Sequence, residues 1–531
     1  MSTTSRRYAA LAGVTAAAVA IGVAEPVAVL TGPRSAPLVA VGGVVVDAVP
    51  EPLKQFAIDV FGTADKIALL TGTALLLGAF AALLGMLAVR RLALGLAGIA
   101  AFGVVGVAAA LSRSGADVFD ALPSLVGGGL GALVLWLFIA GPFELEPWPW
   151  TSPAPLSPAR PDESPVSPAA PVEGVDPESR RRFLTGTGVL LGTAAVAGFG
   201  GRWLAGRRGV SAARDAIRLP APAVPAPAVP AGADLSLAQL APYVSPNSGF
   251  YRIDTALVVP QVNPDTWRLR IHGRVGTERT YSYADLLARP LVERYVTLAC
   301  VSNEVGGDLI GNARWLGVPL RELLDEAQPD EDADQVVGRS VDGWTCGTPT
   351  AALRDGRDAL LAIGMNGEPL PVEHGFPVRM VVPGLYGYVS ACKWVTELEL
   401  TRFADFDAYW VPRGWSAQGP IKTQSRIDAP RRRNRLTAGP VTVAGVAWAQ
   451  HRGISRVEVR VDDGPWQEAA LAPTVSVDTW VQWSWRWDAT PGEHRLQVRA
   501  TDATGETQTE RTQSVAPDGA TGWHTVPVNV R

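Results

Sequence analysis

The chain has 531 residues, a formal net charge of −4 and 47% hydrophobic residues. That is enough for several domains, and too balanced in charge to signal a nucleic-acid partner. Three cysteines (Cys300, Cys346, Cys392) with no CxxC pair exclude a disulfide framework, a zinc ribbon and a haem-attachment motif. All five histidines (His272, His374, His451, His494, His524) follow residue 271, so the apolar N-terminal part offers no imidazole to a haem.

A bilayer core of roughly 30 Å takes about 20 apolar residues as helix. Stretches 8–32, 66–89, 92–112 and 121–142 satisfy this, which makes residues 1–142 a four-span membrane region. The run Pro37–Val49 is too short and is read as an interfacial or loop segment. A fifth stretch, 184–204, follows Ser179-Arg180-Arg181-Arg182-Phe183-Leu184, which resembles a twin-arginine export motif. The plainer alternative is an ordinary stop signal with flanking arginines. Such export moves folded domains, and residues 179–208 are then a retained signal and anchor helix.

Positive charge favours the cytoplasmic side. Arg6 and Arg7, Arg90 and Arg91, and Arg180 to Arg182 alternate so that five spans carry the chain outward, with Arg207 and Arg208 on the outer side against the trend. The expected location is a multi-pass cell-membrane protein with its catalytic domain outside the cytoplasm. Residues 143–178, rich in Pro and Ser, read as an unstructured cytoplasmic linker. Residues 209–244 read as a spacer. Within it, 219–232 (LPAPAVPAPAVPAG) predicts a polyproline stalk on the order of 40 Å.

From residue 245 the pattern becomes that of a mixed α+β domain, expected over 245–430. Trp267, Leu269 and Ile271 alternate on one strand face, and Tyr295 to Ala299 form a second strand running into Cys300. Leu320, Leu323 and Leu324 give Pro319 to Ala327 the stripe of a short helix. A free cysteine is most often just a small buried residue, and Cys346 and Cys392 keep that reading.

Three blocks give Cys300 a sharper one. TLACVSNEVGGDLIGNARWLGVPLRELL (297–324) resembles the cysteine segment of the sulfite oxidase family. Phe250-Tyr251-Arg252, followed by Pro260 and an Asp-x-Trp-x-Leu run, resembles that family's pterin-contacting arginine segment. EHGFPVRMVVPGLYGYVSACKWV (373–395) is similar to its H-G-F-P-x-R…V-P-G…K-W signature. The resemblance implies a molybdenum–molybdopterin cofactor with Cys300 as metal ligand. It also implies cofactor contacts from Arg252, Asn303, Asp342, His374, Arg379 and Lys393, and catalytic positions at Cys300, Arg252 and Trp315. A soft thiolate suits such a centre and needs no ligand partner at fixed spacing. His374 and Arg379 stand in an apolar context where an unpaired cation is costly, which points to an anionic partner. Gly384 and Gly387 allow close backbone approach.

One departure bears on substrate. Where the family's C-A-G-N-R-R carries two arginines, this chain reads Cys300-Val301-Ser302-Asn303-Glu304-Val305. A neutral or cationic substrate suits that stretch better than sulfite, with Arg252 and Arg314 left to contribute charge. Tyr386, Tyr388 and Tyr409 compete for a place near the metal. The reaction expected from the cofactor is two-electron oxygen-atom transfer on a small sulfur- or nitrogen-containing substrate. The alternatives are an S-oxide reductase of the methionine sulfoxide type and, from another class, a catalytically silent membrane-tethered binding protein. With no haem, iron–sulfur or flavin motif in the chain, a separate electron-transfer partner is implied, a haem protein or a quinol-linked one.

After Arg431, Arg432, Arg433 and Arg435, residues 438–531 read as all-β. Val457, Val459 and Val461 share a face, Asp462-Asp463-Gly464 turns the chain, Val481, Trp483, Trp485 and Trp487 alternate with polar residues, and Leu496, Val498 and Ala500 follow before Thr504-Gly505. The pattern is that of an immunoglobulin-like sandwich, which in the family is a dimerisation domain, so a homodimer is implied. The expected fold is thus multi-domain: an α-helical membrane region, a mixed α+β sulfite-oxidase-type molybdopterin domain, and an all-β immunoglobulin-like sandwich.

Overall fold

A computed structural model describes residues 3–49, 65–113, 116–144, 177–207, 209–432 and 434–531, in two compact units. One comprises Met1–Gly209 with Ala256–Val258; the other comprises Val210–Thr255 and Val259–Arg531. Most of the linker expected at 143–178, together with Arg208 and Arg433, lies outside the described residues.

The first unit is helical. Arg6–Thr31, Ala68–Arg90, Leu92–Leu111, Val118–Ile139 and Pro177–Leu204 are each long and apolar enough to cross a membrane. The twin-arginine-like stretch begins the last of them as helix rather than as an extended leader. Small residues let the backbones approach. Gly13 lies against Ala81, Gly85 against Ala9, Gly22 against Ala194 and Gly127 against Ala20, leaving no room for a β-carbon at any of these glycines. Thr3–Thr31 is therefore the helix on which three of the others pack. Pro37–Ala48 is helical, which corrects the loop alternative for that run; at 12 residues it is too short to span.

The second unit joins an α+β part to a β-sandwich. In the first part, β1 (Arg268–Gly273), β2 (Arg279–Ser282), β5 (Gln335–Ser340), β6 (Thr345–Pro349) and β10 (Val395–Thr401) form a sheet in the order β2-β1-β10-β5-β6. Its β1–β10 pair is parallel. β3 (Val292–Ala299), β4 (Ile310–Pro319), β7 (Leu360–Met365) and β8 (Glu368–Pro369) form the other, with β9 (Arg379–Val381) beside β7. Leu269 and Ile271 are fully buried as their alternation predicts, and Leu320, Leu323 and Leu324 of the helix Leu320–Ala327 fill the same core.

The sandwich pairs a sheet β11-β13-β17-β16 with a sheet β12-β19-β18-β14-β15. The ranges are β11 (Gln424–Ala429), β12 (Arg435–Leu436), β13 (Gly439–Trp448), β14 (Ile454–Val461), β15 (Gln467–Glu468), β16 (Ala470–Leu471), β17 (Val481–Ala489), β18 (Gly492–Asp502) and β19 (His524–Val530). Val457, Val459, Trp483, Leu496, Val498 and Ala500 meet between them. Because β11 pairs with β13, the sandwich begins before residue 430, and the basic stretch lies inside it rather than between domains.

The polyproline segment is not a free stalk. Extended backbone leaves its amides and carbonyls open to pairing. Ala223 donates to the Leu291 carbonyl at 2.8 Å, and Glu293 N–H donates to the Val224 carbonyl at 2.9 Å, so the segment runs along the end of β3. Tyr243, nearly fully buried, hydrogen-bonds Thr479 of the sandwich. The expected spacer is therefore part of the catalytic unit.

Candidate active site

β3 and β4 are antiparallel neighbours joined by residues 300–309, and Cys300 is the first residue of that connection. Cys300 N–H donates to the Leu309 carbonyl (2.9 Å), and the Asn303 Oδ1 accepts from Leu309 N–H (2.8 Å). The loop is thus closed on itself, with Asn303 holding its shape. The sandwich clasps the strand just before it. Thr297 N–H donates to the Asp478 carbonyl (2.9 Å), and Gln450 Nε2 donates to the Thr297 carbonyl (3.0 Å). Trp480 N–H donates to Thr297 Oγ1 (2.8 Å). Burial raises the Cys300 thiol above its ordinary value, while hydrogen bonds from Ser302 and the Lys393 charge pull the other way.

Beside it lies a group of buried cations. Arg379, at the start of β9, is 5% exposed; its guanidinium donates to the His374 carbonyl (3.1 Å) and sits 5.0 Å over the Trp315 ring. No carboxylate among the described residues pairs with it. Burial pushes it down to about 10. Lys393 donates to Asp254 Oδ2 (2.7 Å) and to the Glu373 carbonyl (3.2 Å), and burial holds it down to about 8 against the pull of Asp254. His374 faces the Asn247 carbonyl (3.2 Å) and is neutral, held down to about 4 by burial and by the charges of Arg379 and Lys393. Gly375, at φ +112°, packs closely against both Arg379 and Lys393: a β-carbon there would lie 3.0–3.2 Å from the Cβ atoms of both. Arg252, 41% exposed, shares Asp254 through Nε at 3.1 Å.

The structure brings Arg252, Cys300, His374, Arg379 and Lys393 into this region and sets other expected residues apart in role. Trp315 is fully buried under Arg379 with its indole N–H on the Val296 carbonyl (3.1 Å), a floor rather than an open pocket wall. Asp342 accepts from Trp344 N–H (3.2 Å) in the turn between β5 and β6. Arg314 is paired with Glu293 at 3.2 Å. Of the three competing tyrosines, Tyr386 feels the charge of the Cys300 thiol, and burial pushes it up to about 12. Tyr388 donates to the Ser416 carbonyl (2.7 Å), and Tyr409 meets Trp410 edge to face with the Arg413 guanidinium over its ring.

Two further residues of the region have no role assigned to them from the sequence alone. Tyr251, its hydroxyl 4.0 Å from where a Gly387 β-carbon would stand, is held protonated by burial and is also coupled to Cys300. Asp254, 4% exposed, balances two cations. Its position two residues after Arg252 is the only hint the chain offers.

A buried thiol at a strand end, next to buried cations that outnumber their carboxylates, is a site for a thiol-ligated cofactor bearing an anionic tail. Comparison with known proteins agrees. Residues 256–410 match the oxidoreductase molybdopterin binding domain, and residues 424–498 match a bacterial Ig domain. Human mitochondrial sulfite oxidase is 33% identical over 272 residues, 43% of this chain and 49% of that protein. The uncharacterized oxidoreductase YuiH of Bacillus subtilis is 33% identical over 153 residues, 29% of this chain and 74% of that protein. The sulfane dehydrogenase SoxCD of Paracoccus pantotrophus is 24% identical, with a TM-score of 0.48 over 54% of this chain and 84% of that one. The chain spans about half the length of the human sulfite oxidase it matches. Residues 256–410 are thus a molybdopterin-binding oxidoreductase domain related to that of the sulfite oxidases, and molybdenum–molybdopterin is the cofactor that such a domain implies.

Proposed function

We propose that the chain is a membrane-anchored oxidoreductase that performs two-electron oxygen-atom transfer on a small sulfur- or nitrogen-containing substrate outside the cytoplasm. The observation that carries the reading is the buried Cys300 thiol set beside Arg379, a buried cation with no carboxylate partner among the described residues. When bound, the molybdenum–pterin group supplies the two-electron exchange of an oxygen atom with the substrate. Cys300 would hold the metal, giving up its proton on binding. Arg379, Lys393 and Arg252 would hold the anionic tail, with neutral His374 as a hydrogen-bonding partner. Asp254 orients Lys393 and Arg252 and tempers their charge.

Five candidate spans and the arginine pattern favour an outward-facing catalytic unit reached through a retained twin-arginine-type anchor. Reduction of an S-oxide is the second reading. It is favoured by the 300–309 loop, which carries Glu304 and Val305 and no cation, and so offers a sulfite dianion no counter-charge of its own. Electrons then pass between the site and a separate haem or quinol-linked partner.

The test is molybdenum per chain by mass spectrometry, on protein from a host that makes the cofactor, beside Cys300→Ser. We expect near one metal per wild-type chain and a lost or spectroscopically altered metal in the variant. Folded, cofactor-exposed wild type without molybdenum would overturn the enzymatic reading and leave a tethered binding protein.

A further inference from the structure

The C-terminal sandwich does more than clasp β3. At the start of β19, the Cδ2–Nε2 edge of the His524 ring lies against Gly306 in the loop that begins at Cys300; a β-carbon on Gly306 would stand 2.2 Å from Cδ2 and 2.3 Å from Nε2. Gly306 has φ +80°, so both its conformation and its lack of a side chain admit the ring. Arg426 fixes the same loop by donating to the Gly307 carbonyl at 2.7 Å, while its own charge is met by Asp428. Earlier in the same segment, Gly519 lies against the Tyr386 hydroxyl; a β-carbon there would be 2.6 Å away. The stretch Gly519–His524 thus touches both Tyr386 and the Cys300 loop, the two neighbours of the thiol on this side.

The tautomer of His524 follows from its partner. Ile427 N–H donates to Nδ1 at 3.0 Å, so Nδ1 carries no proton and the neutral ring keeps its proton on Nε2. Burial and the nearby Arg426 charge both disfavour a second proton. No hydrogen-bond acceptor for Nε2–H is found among the described residues. An uncharged donor, fixed in direction by a backbone amide behind it, is therefore left beside a loop with no cation.

We propose that His524 Nε2–H binds the acceptor oxygen of the substrate, and that the oxygen belongs to a neutral S-oxide or N-oxide rather than to an oxyanion. The inference rests on the functional reading above and narrows its substrate class. The sandwich then supplies one wall of the active site.

Two substitutions separate this role from a purely structural one. In His524→Asn the Oδ1 takes the place of Nδ1 and still accepts from Ile427, while the amide Nδ2 stands at the Cδ2 position, so the donor at the Nε2 position is gone. In His524→Gln the Nε2 amide stands near the imidazole Nε2 and restores the donor, without the inner acceptor. The substrate is dimethyl sulfoxide, reduced by full-length, molybdenum-loaded protein with a viologen as electron donor. We expect KM to rise about tenfold in His524→Asn with a smaller change in kcat, and His524→Gln to recover most of that loss. Independently of turnover, dimethyl sulfoxide should move the His524 Nε2–H resonance in protein labelled with 15N-histidine, with His272 on β1 and His494 on β18 serving as reference. Equal kinetics in His524→Asn and wild type, losses in Gln matching or exceeding those in Asn, or a stationary resonance would each overturn the proposal. Molybdenum content on the same samples separates that failure from failure of the functional reading.

Discussion

Lys393 illustrates how burial and a neighbouring carboxylate together set the charge of a single side chain. Its folded value of about 8 lies below the ordinary 10.5, because burial disfavours the ammonium more than Asp254 favours it. The folded protein therefore releases this proton before the unfolded chain does. Without cofactor, stability should rise as the pH climbs from about 8 toward 10.5, and the hold of Lys393 on an anion should fade over the same interval. Melting of cofactor-free protein across that range should show the rise in wild type and not in Lys393→Met. Residue by residue, much of the site was legible: Cys300, His374, Arg379 and Lys393 stand in recognisable motifs. What was hidden is proximity. Asp254 meets Lys393 across 139 positions, and His524 meets Gly306 from another domain, and no local period records either contact.

Among the elements, alternation was a reliable guide wherever one strand face is buried. Val457 and Val459 on β14, and Leu496, Val498 and Ala500 on β18, point into the sandwich as their spacing predicts. β17 carries the largest of these side chains, and Trp483 is fully buried between the sheets. Replacing it by Ala should cost about 3–5 kcal/mol. Because the sandwich clasps β3 at Thr297, molybdenum loading should fall together with the thermal midpoint of the sandwich. Loading unchanged at a lowered midpoint would show that the clasp is dispensable. Short apolar runs were less legible. Pro37–Ala48 carries no periodic contrast and could be assigned only by length, yet it is helical. The first sandwich strand, β11, was assigned to the wrong domain because a basic stretch looks the same inside a sandwich as between two domains.

At the scale of the whole chain, composition alone separated an apolar helical unit from a catalytic one, and the division near residue 209 agrees with it. The Pro/Ala segment defeated the same reasoning. Its composition correctly predicts extended backbone, but extended backbone is equally able to float as a tether or to lie down beside a strand. Here Ala223 and Val224 lie down beside β3.

That pairing has a consequence for how the catalytic unit behaves once freed from its helices. β3 is the outermost strand of its sheet, and it is the strand that delivers Cys300. An uncovered strand margin invites a second chain to continue the sheet, and a neighbour docked there would lie directly beside the strand that ends at Cys300. A fragment of residues 210–531 keeps the cover and should remain monodisperse. One of residues 235–531 lacks it and should self-associate with time and concentration, as light scattering would report. The proline-rich stretch is then best regarded as a selvage: it stops the weave of the sheet at the thread from which the active site hangs.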